Sequence, residues 1–368
     1  MKQIPKYTFE RQRLFPGYDG RVCKVCPTVV RTEKYDFLTY GMLLLSGCDV
    51  VVGGYTAKRE IGENTFGEPQ PTEIFEVKEN GIRTVFACAS QYYSKHHKTW
   101  FCFGMSISYA NDLESVTHGG IAIAEAKCIF CDCETGRYIG EPQVLPLPFE
   151  YISATPHSQV MEFDNGDILL TFHITPKDEI KSKALAVRYR YENGEFSIVA
   201  FGNLIEYQGA RGVVEPSVAR LGDKHYMTLR SDEQGLLSVS DDGLNYSEPQ
   251  PWKWDDGSIL ENYNTMQRWI RHKDALYLIY TRRGANNDHV FRHRAPLFMA
   301  RFDEENLCLV RDTEIGLVPE LGARLGNFFV TDISDNEFWL LTAEWMQPAG
   351  CEKYGSDNSI WLVKIQFE

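Results

Sequence analysis

The 368-residue chain has no apolar run of the roughly 18 residues that a membrane-spanning helix requires. It also lacks a basic surplus. Its 38 Lys and Arg stand against 51 Asp and Glu, for a net charge of −13. That balance argues against a nucleic-acid partner, since phosphate binding needs a basic stripe. The opening, MKQIPKYTFERQRLF, has no apolar core of a secretory signal. Ten cysteines without such a signal imply reduced thiols and a cytoplasmic protein. The phosphate-cradling G-x-x-x-x-G-K-[ST], the zinc-binding H-E-x-x-H and the nucleophile motif G-x-S-x-G are absent, and no cofactor is expected. No long segment keeps a helical period.

Two cysteine pairs have zinc-like spacing: Cys23 with Cys26, and Cys128 with Cys131, with Cys133 close by. The pairs lie far apart in the chain and in apolar, strand-like text. They read as small core residues, and no metal is expected.

What the chain does have is short strands and turns. Residues 158–174, 216–231, 265–283 and 327–345 each read as two β-rich runs joined by a polar turn. They recur roughly every 50 to 60 residues, a period of propeller blades. A second element repeats as Gly67-Glu68-Pro69-Gln70, Gly140-Glu141-Pro142-Gln143 and Ser247-Glu248-Pro249-Gln250, each near an aromatic: Phe66, Tyr138 and Tyr246. The expected fold is all-β: a single-domain β-propeller of about six blades, each of four antiparallel strands. The blades are placed near 22–78, 80–148, 154–205, 211–254, 262–318 and 323–367.

In a propeller the innermost strands converge on the axis, and residues just before them line one mouth of a central cavity. Those positions hold Lys24 to Pro27, His157, Arg211 with Glu215, Asn264 with Gln267, and Arg324 with Asn327. Loops between second and third strands add Asp49, Arg230, and a cluster of Arg282, Arg283, His289, Arg292, His293 and Arg294. That cluster packs four arginines and two histidines into thirteen residues of an acidic chain. Cations facing a few carboxylates suit an anionic sugar or oligosaccharide. Arg294 and at least one of Arg282 and Arg283 are expected to face the cavity beside Glu215 and Arg230.

The segment SVSDDGLNY (238–246) resembles the Asp-box, S-x-D-x-G-x-x-W, of the sialidase-like propellers. There Asp caps a turn between outer strands, Gly permits positive φ, and the aromatic wedges between blades. Further likeness is concentrated in residues 211–301. Glu215-Pro216-Ser217-Val218 resembles the E-P-x-[VI] of that superfamily, whose Glu polarises a catalytic Tyr. Tyr226 to Arg230 resembles the strand that ends in its second substrate Arg. Arg294-Ala-Pro-Leu-Phe-Met resembles the strand with the third. Asp49 stands about where the family's acid/base Asp is expected. Two departures are serious. Val25-Cys26-Pro27 replaces the R-I-P that carries the first Arg, and Gly322 to Phe329 lacks the nucleophilic Tyr. Orthodox sialic-acid hydrolysis is therefore not expected.

Three functions remain open. The first is a glycoside hydrolase for a carboxylated or sulfated sugar, with Asp49 and Glu215 as the carboxylate pair. The second is a polysaccharide lyase, with His157, His289 or His293 beside arginines that neutralise a uronate. The third is a non-catalytic glycan-binding or docking propeller. Oligomeric state is not legible.

Overall fold

In the computed structural model the described residues are 6–46, 49–110, 114–118, 120–157 and 159–368. They are all-β, with only three short 3-10 turns. The strands form successive antiparallel meanders in chain order. Val22–Arg31, Tyr35–Leu44, Val50–Glu60 and Gln70–Pro71 make the first sheet. Ile82–Ser94, Thr99–Ala110, Ala124–Cys131 and Tyr138–Val144 make the second meander. Tyr151–Pro156, Ile168–Pro176, Lys183–Glu192 and Glu195–Phe201 make the third. A parallel pairing of Ala124 with Ser153 fuses these two.

Val214–Leu221, Lys224–Arg230, Gly235–Ser240 and Gln250–Pro251 form the fourth sheet. In the fifth, Arg268–His272, Ala275–Tyr280 and Leu297–Asp303 are edged by Cys308–Leu309 and Ile315–Val318. Phe328–Asp332, Glu337–Ala343 and Ile360–Phe367 begin the last sheet, and the N-terminal strand Tyr7–Leu14 completes it. Sequence reading left residues before 22 outside the blades. Their strand instead pairs residue by residue from Tyr7 with Phe367 to Leu14 with Ile360, which ties the two chain ends together.

The apolar residues explain the arrangement. Strands covered on both faces read as continuous apolar runs. Ala275–Tyr280, ALYLIY, is buried at every position. Each meander shares a buried layer with the next. Phe37 and Val30 of the first pack with Trp100 and Phe86 of the second. Met227 of the fourth packs with Ala186 of the third, and Trp269 of the fifth with Tyr226 of the fourth. The last closes on the first through Trp339 and Leu341 against Val29 and Leu38. First strands of neighbouring sheets touch as well, Phe328–Asp332 lying against Val22–Arg31. The sheets therefore run around a common axis.

Turns between third and fourth strands of the second, fourth and fifth meanders share one device. Asp242 accepts from the backbone N–H of Leu244 at 2.8 Å and of Asn245 at 2.7 Å, and from Ser240 Oγ at 2.9 Å. Gly243 there has φ of 75°, a conformation that costs glycine least. Asp132 and Asp303 cap the corresponding turns in the second and fifth meanders. Tyr246, after the Asp242 turn, is buried against Leu169, Ala184 and Ala186 of the preceding meander.

The cysteine pairs are separate features. Cys23, Cys102, Cys128 and Cys131 are buried in strands, with Cys102 and Cys131 sulfurs 3.3 Å apart.

Candidate functional site

Ends of the first strands, and loops after the second, surround a cavity of about 810 Å³. Arg211, Arg230, Arg292, Arg294 and Arg324 line it together with Asp49, His157 and Glu215. From there it runs outward between the first and second meanders, past Tyr40, Tyr55, Trp100 and Tyr138.

Glu215 enters through a backbone irregularity. It has φ of 50°, precedes Pro216, and sits where the strand register slips between Val214 and Ser217. Cys26 repeats the arrangement in the first sheet, with φ of 50°, Pro27 after it, and a slip between Val25 and Thr28. The extra residue in each bulge re-aims a side chain toward the axis. In the third meander the first strand stops at Pro156, and Met161–Glu162 resumes pairing with the same neighbour. His157 lies in that break, on the cavity wall.

Arg230 Nη1 donates to Glu215 Oε2 at 2.7 Å, both side chains being at most 14% exposed. Burial would raise the Glu215 carboxyl, but the guanidiniums of Arg230 and Arg294 outweigh it and hold the group well below the carboxylate range. Asn264, in the left-handed region at φ of 47°, is the hub for three arginines. Its Oδ1 accepts from Arg230 Nη2 at 2.6 Å and from Arg292 Nη1 at 3.4 Å. Its backbone oxygen accepts from Arg294 Nε at 3.1 Å and Nη2 at 2.6 Å. A neutral amide thus holds these guanidiniums without cancelling their charge. Burial and then the neighbouring Arg230 push Arg294 well down, and burial lowers Arg324 to about 10. Arg324 therefore remains a cation at neutral pH, and a guanidinium such as that of Arg294 is not deprotonated in proteins.

Two imidazoles complete the floor. Arg268 Nη2 lies 3.2 Å from His157 Nδ1, and the Glu215 N–H lies 3.4 Å from His173 Nδ1. A guanidinium and an amide can only donate, so both Nδ1 atoms accept. Burial lowers His157 to about 3 and His173 to about 4, so both rings are neutral, with the proton on Nε2. Cys26 accepts from Asn327 Nδ2 at 3.3 Å, and burial pushes its thiol up to about 12.

Several expected positions lie elsewhere. Arg282 forks onto Glu314 at 2.8 and 2.6 Å, because Glu314 supplies a nearby carboxylate that sequence spacing does not reveal. Arg283 is exposed and stacks 4.0 Å from the Tyr263 ring centroid. His293 is held between the Tyr263 hydroxyl at 2.7 Å and Asp288 at 3.3 Å. His289 lies 2.9 Å from Glu320 and packs on Tyr354. Gln267 is buried between Thr228 and the Thr265 carbonyl. Asn264 holds arginines and is not among the lining residues. Lys24 turns its ammonium to the Gly17 and Asn358 carbonyls. Of the expected arginine pair only Arg294 reaches the cavity; neither Arg282 nor Arg283 does.

Other contributors were missed. Arg268 is wholly buried behind His157 and opens the strand Arg268–His272, RWIRH, whose second arginine is exposed, so the sequence does not tell the two apart. His173 likewise interrupts the apolar strand Ile168–Pro176. Phe291, Glu73 and Trp345 on the wall carry no local signature.

No protein-family model matches the chain, and no curated protein matches it in sequence. Solved structures do resemble it. Trypanosoma rangeli sialidase superposes with a TM-score of 0.60 over 99% of this chain and 60% of that one, at 12% identity. The same enzyme in complex with the inhibitor DANA gives 0.65 over 97% and 59%, at 10% identity. NanB sialidase from Streptococcus pneumoniae gives 0.65 over 96% and 70%, at 9% identity. The chain spans about three fifths of the length of the Trypanosoma rangeli enzyme. These sialidases are β-propellers, and the chain has a sialidase-like, all-β fold.

Proposed function

We propose that the protein is a carbohydrate-active enzyme, a glycoside hydrolase that holds an anionic, carboxylated sugar in the central cavity of a propeller of about six blades. One observation carries the reading. Five arginines converge on one cavity of a chain whose net charge is −13. Such a gathering is costly without a bound anion. In the blade reading each meander is one blade, and 238–246 is an Asp-box whose aspartate caps the turn.

Roles follow from charge. Arg230 and Arg294 hold the sugar carboxylate. Glu215 stays ionised and opposes positive charge that develops at the anomeric carbon. A group held so low cannot serve as the proton donor. Asp49, exposed on the rim, is the better candidate acid, and Glu73 stands on the same wall. The lyase reading needs an imidazole base. The Nδ1 lone pairs of His157 and His173 are already engaged by donors, and Nε2 carries the proton, which counts against it.

Incubation with synthetic glycosides of uronic and ulosonic acids tests the reading. Release of reducing sugar without the ultraviolet absorbance of an unsaturated uronate is expected. Absorbance growth would replace hydrolysis by elimination. No turnover of any anionic glycoside, with no binding either, would overturn the enzyme reading.

A further inference from the structure

The cavity arginines divide into two sets. The inner set, Arg230 and Arg294, is buried and faces the one carboxylate of Glu215. The outer set, Arg292 and Arg324, flanks a single ring. Arg324 lies 4.9 Å and Arg292 5.0 Å from the Phe291 centroid. The two guanidiniums therefore cannot be further apart than those distances together. Neither forms an ion pair within 4 Å among the described residues. Arg324 donates to the neutral Gln347 and stacks 3.8 Å from Trp345, while its buried Nε has no hydrogen-bond partner. Among the described residues Arg292 hydrogen-bonds the amide oxygen of Asn264, with Asp232 and Asp49 acting on it at longer range. The fifth, Arg211, is already matched by Asp232 at 2.7 Å.

A single sugar carboxylate can satisfy the inner set. It leaves the outer pair beside one aromatic ring, with neutral hydrogen-bond partners and, common to both, only the single negative charge of Asp49 on the rim. Like charges so placed repel, and an oxyanion between them removes the repulsion while taking charge-assisted hydrogen bonds. We infer that the ligand carries two anionic groups: a carboxylate against Arg230 and Arg294, and a second oxyanion against Arg292 and Arg324. The second group is a sulfate ester or the carboxylate of an adjoining residue, so the substrate class is a sulfated or contiguous uronate glycan. This rests on the proposed sugar-binding role of the cavity.

Titration calorimetry at neutral pH tests it with four ligands: glucose, glucuronate, glucuronate 2-sulfate and digalacturonate. A dianion is expected to bind about tenfold more tightly than glucuronate at low salt, the gain shrinking as salt screens it. In Arg292→Ala, an exposed position, the ratio of dianion to monoanion affinity collapses toward one. Arg324→Gln should do the same. Sulfate and digalacturonate arms distinguish the two sources of the second oxyanion. If glucuronate fails to bind, or binds no better than glucose, the sugar-acid reading itself falls. If glucuronate binds and neither dianion improves on it, the two-anion inference falls while that reading stands. A gain that survives both arginine substitutions also overturns it.

Discussion

Glu215→Gln removes one charge from the buried pair and keeps its shape. The side chains of Arg230 and Glu215 are 10% and 14% exposed, so water screens the pair poorly. Breaking a buried ion pair by neutralising one partner typically costs about 3–5 kcal/mol. Glutamine retains an acceptor for Arg230 and escapes the desolvation of a carboxylate, which sets the expected loss near the lower end, about 3 kcal/mol. With a melting entropy of about 2.1 cal/mol/K per residue, that loss over a chain of this size lowers Tm by about 4 °C.

Acid should narrow the gap. The folded Glu215 carboxyl lies below its ordinary value of 4.5. Its stabilisation is therefore complete above that value and is lost as pH falls below it toward the folded value. Glutamine has no such titration. The stability difference, read from urea midpoints, should be full at neutral pH and decline below about pH 4.5. Sulfate at low concentration, against chloride of matched ionic strength, should raise the Tm of the variant more than that of the wild type. It replaces the missing negative charge. Equal melting temperatures, and equal shifts with sulfate, would refute Glu215 as the charge that balances Arg230.

Asn264→Gly keeps the left-handed backbone but removes the Oδ1 that holds Arg230 and Arg292, so affinity for glucuronate should fall about tenfold by calorimetry with little change in Tm. Asn264→Ala adds strain at φ of 47° and should lose about 1 kcal/mol more in urea unfolding. Asp242→Ala uncaps an outer turn and should cost about 1–2 kcal/mol by denaturation while ligand affinity holds. Gly326→Ala would place a Cβ 2.6 Å from Arg294 Cδ, so it should displace Arg294 and abolish anion binding while circular dichroism remains that of a folded β protein.

The hairpin pattern was legible because it rests on local chemistry. Hairpins at 216–231 and 327–345 are alternations of apolar runs and polar turns, and those turns form where Gly222 and Ser334 to Asn336 stand. The strand at 7–14 was not legible. Its partner lies at the other end of the chain, and only ring closure brings Tyr7 to Phe367. Of the residues beside strand ends, His157, Arg211, Glu215 and Arg324 line one cavity while Lys24, Asn264 and Gln267 do not, and none of their partners was legible. Arg282, Arg292 and Arg294 occupy one arginine-rich stretch, yet only the fold supplies Glu314 to the first and Asn264 to the other two. The charge of a residue is written in the sequence; whether that charge is free is decided by what packs beside it.

The paired bulges carry this point further. Cys26 and Glu215 hold the same φ, precede proline, and sit at the same kind of register slip in two sheets. The scaffold thus presents equivalent side-chain positions to the axis and leaves their chemistry to sequence. One holds a carboxylate kept ionised by Arg230; the other holds a thiol kept protonated by burial. The first sheet therefore adds no charge at its bulge. The fifth and last sheets supply cations instead, through Arg292, Arg294 and Arg324. The last sheet lies against the first, so Arg324 brings its charge to the cavity beside the uncharged Cys26 bulge.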